Sequence, residues 1–291
     1  MSAPGTGTAI GPRTAVAVSP HLDDAVFSAG GVLALLARAG WRVRVVTCFT
    51  ATVEDPGPFA LSTQLDKGLP ADADYMALRR AEDAAAQRRL GTLPPVHLPL
   101  PEAPHRGYGS PRELFTPPRP GDTAGTELAR LLRPHLAPAD LVLAPQAIGD
   151  HVDHLLTARA VAAAAPRARI AWWRDVPYVA RALRSAGGPE RAGPEGAVET
   201  TVDIGAVLPD KAAAARCYTT QLGFQFGGPG RTGEVLSAVA RSEALRTGAP
   251  CAHAEVLRTG RTAGRALESL RDRRPAGRHS GRTSRRAAPS G

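Results

Sequence analysis

The stretch TAVAVSPHLDDAVFSAGGVLALLARAG, residues 14–40, contains a complete strand–loop–helix unit. Thr14 to Val18 form a short apolar run with the length and composition of a buried strand. Val26 to Ala39 have the length and apolar spacing of a helix, and Gly40 follows where a C′ glycine commonly ends one. The loop between them, Ser19 to Asp24, is therefore predicted to lie at the carboxyl end of a buried strand.

The same alternation continues along the chain. Short apolar runs with the composition of strands lie at residues 42–49, 96–98, 141–144 and 169–173. Amphipathic segments of helical length lie at residues 74–90, 123–135, 151–165 and 208–222. Strands that alternate with helices predict an α/β fold with a Rossmann-like, mostly parallel sheet flanked by helices. Such sheets bind ligands in the crevice at the carboxyl ends of their strands.

The charge of the chain is concentrated at one end. The 291 residues carry a formal net charge of +9, but ten arginines and two acidic residues between Arg258 and Gly291 account for +8 of it. We therefore predict a single domain over residues 1–258 and a disordered, basic, Arg-rich tail over residues 259–291. A tail of this kind can bind nucleic acid, but the rest of the chain has no basic stripe with interleaved aromatic residues. Nucleic-acid binding is thus an alternative that rests on the tail alone.

Other features of the sequence bear on where the protein works. No apolar run approaches the ~18 residues of a membrane-spanning helix, so we expect no membrane partner. Residues 1–12 lack the basic and apolar regions of a signal peptide. The widely spaced Cys48, Cys217 and Cys251 fit neither a disulfide framework nor a CxxC zinc site. These features predict a cytoplasmic protein, and nothing in them indicates an oligomeric state.

Histidine and aspartate side chains follow two of the predicted strands. They are His21, Asp23 and Asp24 in the first loop, and His151, Asp153 and His154 after the strand at residues 141–144. Each group alone is compatible with a helix cap or a polar surface patch. Because the carboxyl ends of parallel strands meet at one sheet edge, the two groups are expected to share a crevice. Imidazole and carboxylate ligands suit Zn²⁺ or a similar divalent ion, and a cation would offset the repulsion between adjacent carboxylates.

Motifs of other enzyme classes are missing. No GxGxxG follows the first strand, no GxxxxGK[ST] occurs, and no GxSxG elbow is present. A dinucleotide-dependent enzyme, a P-loop enzyme and a serine hydrolase are therefore disfavoured.

The two His/Asp motifs resemble the signature of the PIG-L, or LmbE-like, deacetylase family. SPHLDD at Ser19–Asp24 is similar to the family's Pro-His-x-Asp-Asp element, and HVDH at His151–His154 to its later HxDH. Arg79–Glu82 and Leu90-Gly91 resemble an RxxE…LG helix of the family. Gly149 departs from the pattern, since some members that act in thiol pathways carry there a tyrosine that assists catalysis.

A further stretch supports the resemblance, which extends from about Thr14 to Gln221. Lys211, Tyr218 and Gln221 are similar to the family's K…[H/Y]xxQ helix. The family likeness implies a zinc-dependent N-deacetylase, a hydrolase of linear amide bonds that releases acetate and a free amine from an N-acetylated amino sugar. An antibiotic or aminoglycoside precursor is the specific substrate that we expect.

The resemblance also implies a role for each residue of the site. One Zn²⁺ per chain, or another divalent metal, would be held by His21, Asp24 and His154, with an open coordination position. Asp23 would take the proton of the attacking water and deliver it to the amine. His151 would stabilise the oxyanion as an imidazolium held by Asp153, and Arg79 would bind sugar hydroxyls.

Some alternatives stay open at this point. An amidase of the same family that cleaves a larger amide, such as a sugar–thiol conjugate, would share these motifs. Arg79 is also compatible with a solvated arginine on an amphipathic helix. Trp172 or Trp173 could stack on a sugar, and the segment from Asp175 to Tyr178 could shape the same pocket wall.

Overall fold

The computed structural model describes residues 11–179 and 197–270. Within these ranges the strands form one seven-stranded sheet in the order β3-β2-β1-β4-β5-β7-β6. The pairs from β3 to β5 are parallel, whereas β7 runs antiparallel to both β5 and β6. The strands are β1 Thr14–Ser19, β2 Arg42–Phe49, β3 Val96–Leu100, β4 Leu141–Pro145, β5 Ile170–Trp173, β6 Val198–Asp203 and β7 Ala254–Thr259. The predicted α/β fold with a mostly parallel sheet is confirmed.

Helices cover both faces of the sheet. They are α1 Asp24–Arg38, α2 Pro58–Leu65, α3 Tyr75–Leu90, α4 Ala124–Leu136, α5 Val152–Ala164, α6 Leu208–Ala215, α7 Thr219–Phe226, α8 Pro229–Thr247 and α9 Arg261–Glu268. Side chains of β1 alternate between two hydrophobic cores, with Ala15 and Ala17 in one and Val16 and Val18 in the other. This alternation explains why β1 reads as a continuous apolar run, since a strand covered on both faces has no polar side.

The order of the strands places a crevice beside β1. This strand lies between β2 and β4. The chain continues from β1 to β2 and β3 toward one edge of the sheet, and then crosses back to β4 on the opposite side of β1. Buried residues of α1 belong to one hydrophobic core and those of α4 and α5 to the other. The carboxyl ends of β1 and β4 therefore flank a topological switch point, where sheets of this type bind ligands.

Several element boundaries differ from the predicted ones. The predicted helix at residues 208–222 is two helices, α6 and α7, interrupted at residues 216–218. The helices α2 and α8 and the strands β6 and β7 were not predicted from the sequence, although Leu236, Ala240 and Ala244 of α8 recur at helical spacing. The described helices include none that is long and apolar enough to cross a membrane.

The predicted start of the tail at residue 259 is wrong. Thr259 ends the buried strand β7, and α9 follows it with Ala263 and Leu267 fully buried in the core. The many arginines of this stretch concealed an amphipathic pattern, in which Ala263, Ala266, Leu267 and Leu270 recur at helical spacing. The prediction of a disordered tail over residues 271–291 lies outside the described residues.

Candidate active site

The loop after β1 is held in shape by its own polar groups. The Ser19 hydroxyl donates to the carbonyl of His21 at 2.6 Å and accepts from the amide of Ala25 at 3.0 Å. The amide of His21 donates to Oδ2 of Asp24 at 2.8 Å. Because α1 begins directly after this turn, the side chains of His21, Asp23 and Asp24 lie at the carboxyl end of β1.

His21, Asp24 and His154 form a cluster that could hold a metal ion, which we call the metal-ligand group. Their ligand atoms all lie within 4.8 Å of one another. Oδ2 of Asp24 is 3.1 Å from Nδ1 of His21 and 3.2 Å from Nε2 of His154. Two imidazole nitrogens and a carboxylate oxygen that converge in this way are suitable donors for a divalent cation with an open position. The structure brings these three residues together, as we predicted from the sequence.

The hydrogen bonds around His154 leave one of its nitrogens for a metal. Nδ1 lies 2.9 Å from Oδ1 of Asp175, a contact that puts the ring hydrogen on Nδ1. Nε2 is buried and makes no hydrogen bond within the described residues. A buried nitrogen without a hydrogen-bond partner, directed at the carboxylate of Asp24, fits the coordination of a cation. Asp175 is thus a residue of the site, whereas we had predicted for it only a place in the pocket wall.

The electrostatics of the group also favour a cation. Burial disfavours the charged form of His154, but Asp24 and Asp175 together outweigh it and raise its pKa to about 9. The pKa of His21 is likewise well above its usual value, because its hydrogen bonds to Asp153 and Asp24 outweigh burial. The carboxylates therefore bind positive charge strongly at this position, and a divalent ion would supply it.

Asp23 lies beside the metal-ligand group but is not part of it. Its Oδ1 is 3.6 Å from Nη2 of Arg79. Burial and the negative charge of Asp24 raise the pKa of Asp23 to about 6, against the opposing effect of Arg79. A carboxyl group with a pKa near neutrality can both accept and release a proton under ordinary conditions.

Asp153 contacts different partners from those that we predicted. Its Oδ2 is 3.0 Å from Nε2 of His21 and accepts the amide hydrogen of Ala103 at 3.0 Å, and its Oδ1 forms an ion pair with Arg106 at 2.8 Å. The carboxylate therefore orients His21, a member of the metal-ligand group, and the prediction that it holds His151 is wrong. The loop before α4 places Ala103 and Arg106 against this carboxylate, and the contact of His151 with Asp153 is made through the main-chain amide.

His151 caps α5 and is neutral. Its Nδ1 accepts the main-chain amide hydrogen of Asp153 at 3.2 Å, so the ring hydrogen lies on Nε2. Burial and the nearby positive charge of His21 lower the pKa of His151 to about 3. The predicted imidazolium is therefore replaced by a neutral ring, which can still donate a hydrogen bond from Nε2. His151, His21 and Asp153 also form a second set of converging ligand atoms.

Arg79 is buried in the wall of the site. Its Nη1 donates to Oε1 of Glu102 at 2.5 Å, and its Nη2 faces Asp23. The alternative of a solvated arginine is therefore wrong. The guanidinium lies between two carboxylates and lines the cavity, so it fixes Asp23 and Glu102 as well as presenting charge to a ligand.

The two tryptophans belong to the core. Trp172 and Trp173 are both buried, in different hydrophobic clusters, and neither lines the cavity. Because β5 is an interior strand between β4 and β7, consecutive side chains enter the cores on opposite faces. The suggested stacking of a tryptophan on a sugar is wrong.

A cavity of about 320 Å³ opens from these residues. Aromatic side chains from separate segments line it, among them Tyr75, Phe115, Tyr178 and Phe224. Rings of this kind suit the apolar faces of sugars as well as other flat ligands. The cavity therefore combines a charged inner end with a more apolar wall.

Gly149 makes room for one of these rings. Its φ is +92°, in a region that disfavours side chains, and a Cβ there would lie 2.7 Å from Cδ1 of Tyr178. Tyr178 also packs edge-on against His154, with ring centroids 5.4 Å apart. The ring of Tyr178 therefore lies directly over Gly149 and beside the metal-ligand group.

The chain is similar in sequence to known deacetylases. The family model described as GlcNAc-PI de-N-acetylase, PIG-L, matches residues 16–165. A 2'-N-acetylparomamine deacetylase of Streptomyces fradiae is 34% identical over 218 residues, covering 70% of this chain and 72% of the relative. A 1D-myo-inositol 2-acetamido-2-deoxy-alpha-D-glucopyranoside deacetylase of Corynebacterium glutamicum strain R is 30% identical over 246 residues, covering 76% and 79%.

Solved structures resemble the fold over most of its length. The zinc-inhibited form of teicoplanin deacetylase has a TM-score of 0.70 and 26% identity, covering 84% of this chain and 97% of that chain. The A40926 pseudoaglycone deacetylase has a TM-score of 0.66 and 27% identity, covering 84% and 96%. In both cases the solved chain is matched almost completely.

Proposed function

This chain belongs to the PIG-L family of de-N-acetylases, and on that premise we propose that it is a metal-dependent hydrolase that removes an N-acetyl group from an amino-sugar metabolite. The observation that carries the proposal is the position of Asp23. Its carboxyl group, with a pKa raised to about 6, lies next to three converging metal ligands at the inner end of the cavity. A proton acceptor beside an electrophilic metal is the arrangement that amide hydrolysis needs.

The metal-ligand group accounts for the first requirement of the reaction. His21, Asp24 and His154 would hold a divalent cation, which would supply the acidity of the attacking water and the polarisation of the carbonyl oxygen. Zn²⁺ is our first choice because the donors are two imidazoles and one carboxylate. A teicoplanin deacetylase of similar structure has been solved in a zinc-inhibited form, so zinc in excess and zinc at one equivalent must be compared.

The remaining residues of the site move and hold protons. Asp23 accepts the proton of the attacking water and delivers it to the amide nitrogen as the C–N bond breaks. Arg79, held by Glu102, keeps Asp23 in place and limits how far its pKa rises. His151 donates from Nε2 to the carbonyl oxygen as negative charge develops there. Acetate and a free amine are the products.

Relatives point to the class of substrate. Those reported above act, by their names, on 2'-N-acetylparomamine, on an inositol glycoside of an acetamido sugar, on teicoplanin and on the A40926 pseudoaglycone. None of these names is that of a free monosaccharide, and each describes a larger or substituted compound. We propose an amino-sugar-containing metabolite of an antibiotic pathway, with an aminoglycoside precursor as the first candidate.

The experiment is a mass-spectrometric screen of N-acetylated amino sugars with identification of the acid released. Acetate together with a free amine supports the proposal. Release of a larger acid from a sugar–thiol conjugate, with N-acetyl substrates untouched, would replace it by the amidase alternative. Binding of nucleic acid without any hydrolysis would favour the alternative that rests on the basic tail.

A further inference from the structure

The wall of the cavity extends beyond the inner end that contains Asp23. Nη2 of Arg79 lies 3.6 Å from Oδ1 of Asp23. The guanidinium carbon of Arg79 lies 5.3 Å from the centroid of the Tyr75 ring. Nζ of Lys67 follows at 5.2 Å from the same ring and 6.0 Å from the ring of Phe224. All five residues line the one cavity. Phe224 is thus connected to the proposed proton acceptor through Arg79, Tyr75 and Lys67 and does not contact it directly.

Phe224 is the most exposed of the aromatic side chains that line this cavity. Its side chain is 72% exposed and lines the cavity, so an apolar ring face is open to a ligand at this position. It follows Gln221 by one turn on α7, and Gln221 is buried and donates to the Tyr75 hydroxyl at 2.9 Å. The same face of α7 is therefore fixed to the cavity wall at Gln221 and open to a ligand at Phe224.

Lys67 places a cation beside that ring. Its Nζ donates to the carbonyl of Thr63 at 2.8 Å. The other contacts of Nζ among the described residues are the rings of Tyr75 and Phe224, and none of them is an ion pair. Burial lowers the pKa of Lys67, which reflects a partly desolvated ammonium group. An ammonium group with one main-chain acceptor has two more N–H donors for oxygen atoms of a ligand.

We propose that Lys67 and Phe224 form a distal subsite that binds a second, hydroxyl-bearing ring of the substrate, linked to the acetamido sugar. The apolar face of that ring lies on Phe224, and its hydroxyl or ether oxygens accept hydrogen bonds from Nζ of Lys67. This inference rests on the proposed function and specifies its substrate class: an N-acetylated disaccharide-like compound and not a free monosaccharide.

The test compares two probes on the full chain with its metal. N-acetylglucosamine supplies one ring, and 2'-N-acetylparomamine supplies a similar acetamido ring linked to a second ring. The measured quantity is the ratio of kcat/KM for the two-ring probe to kcat/KM for the one-ring probe. In the unaltered protein this ratio is expected to be well above one. Phe224→Ala is expected to reduce it by about tenfold, mainly through KM of the two-ring probe.

Further variants separate the subsite from a general effect on the fold. Phe224→Trp keeps an aromatic face and is expected to keep the ratio, whereas Lys67→Met keeps the length of the side chain and is expected to lower the ratio about fivefold. Leu245→Ala is the matched control, because Leu245 is 77% exposed and does not line the cavity. It should leave the ratio unchanged.

The possible outcomes distinguish the subsite from the proposed function. A ratio near one in the unaltered protein, or a ratio that Phe224→Ala and Lys67→Met leave unchanged, overturns the distal subsite while deacetylation stands. Turnover of neither probe, nor of any other N-acetylated amino sugar, overturns the proposed function and the subsite with it.

Discussion

At the scale of single residues, Asp23 and Asp24 are neighbours with opposite environments. Oδ2 of Asp24 faces two imidazole nitrogens, and His154 and His21 hold the pKa of Asp24 well below its usual value against the effect of burial. Asp23 faces Arg79 at a longer distance, and burial raises its pKa. The first carboxylate is suited to bind a cation and the second to exchange a proton.

This difference predicts separate effects of two substitutions. Asp23→Asn removes the proton acceptor and should lower kcat by about 10²–10⁴-fold while one metal ion per chain is still bound. Asp24→Asn should lower metal affinity itself. Elemental analysis of the purified variants, together with kcat, measures both. Normal turnover by Asp23→Asn would show that another group accepts the proton.

The raised pKa of Asp23 also predicts the acidic limb of the pH profile. Asp23 must be deprotonated to accept a proton, so kcat/KM should fall as the pH decreases through the pKa of this group. That value is about 6 in the metal-free site, and a bound cation lowers it further. The midpoint of the limb is therefore expected at or below about pH 6. A midpoint clearly above 6, unchanged in Asp23→Glu, would assign the limb to another group.

Gly149 gives a third prediction at this scale, with a matched control. Gly149→Ala introduces a Cβ at positive φ and against the Tyr178 ring, whereas Gly121→Ala introduces one at a φ of +91° with nothing within 4 Å. Backbone strain should cost each variant about 1 kcal/mol of unfolding free energy. The contact with Tyr178 should cost Gly149→Ala about 1–3 kcal/mol more, as measured by urea denaturation. Equal losses would mean that Tyr178 moves aside freely.

At the scale of elements, the strand ends were predictable and the loops between them were not. The apolar runs of β1 and β4 locate the two His/Asp motifs at one sheet edge, because parallel strands bury both faces and so stand out in the sequence. Arg106 and Glu102 lie in a proline-rich segment that has no periodicity, and only the folded chain brings them to Asp153 and Arg79. No local signal in the sequence indicates these partners.

The last helix shows how composition can conceal an element. The charge of its arginines indicates a solvated tail, but its apolar residues pack against the sheet beside β5 and β6. Leu267→Ala should cost about 2–5 kcal/mol of unfolding free energy, since the side chain is fully buried. Leu245→Ala, at an exposed leucine of α8, should change it by less than about 0.5 kcal/mol. Similar small losses in both variants would mean that α9 is not part of the folded core.

At the scale of the whole molecule, the chain carries a positive net charge, whereas its candidate active site is rich in carboxylates. The net charge of +9 is located mostly beyond residue 257. The inner end of the cavity contains Asp23, Asp24 and Asp153, and the pKa values of His21 and His154 are raised by these and neighbouring carboxylates. The net charge therefore describes the end of the chain, whereas the inner end of the cavity contains a buried acidic cluster with donors suited to a cation.

The same cluster decides the central claim, that His21, Asp24 and His154 hold a metal ion that the deacetylation requires. The most direct measurement is loss of the acetyl group by mass spectrometry, with protein stripped by a chelator and then titrated with Zn²⁺ up to and beyond one equivalent per chain. We predict no turnover by the stripped protein, full recovery at one equivalent, and no recovery in His154→Ala. Undiminished turnover by the metal-free protein, or full recovery by His154→Ala, would contradict the account.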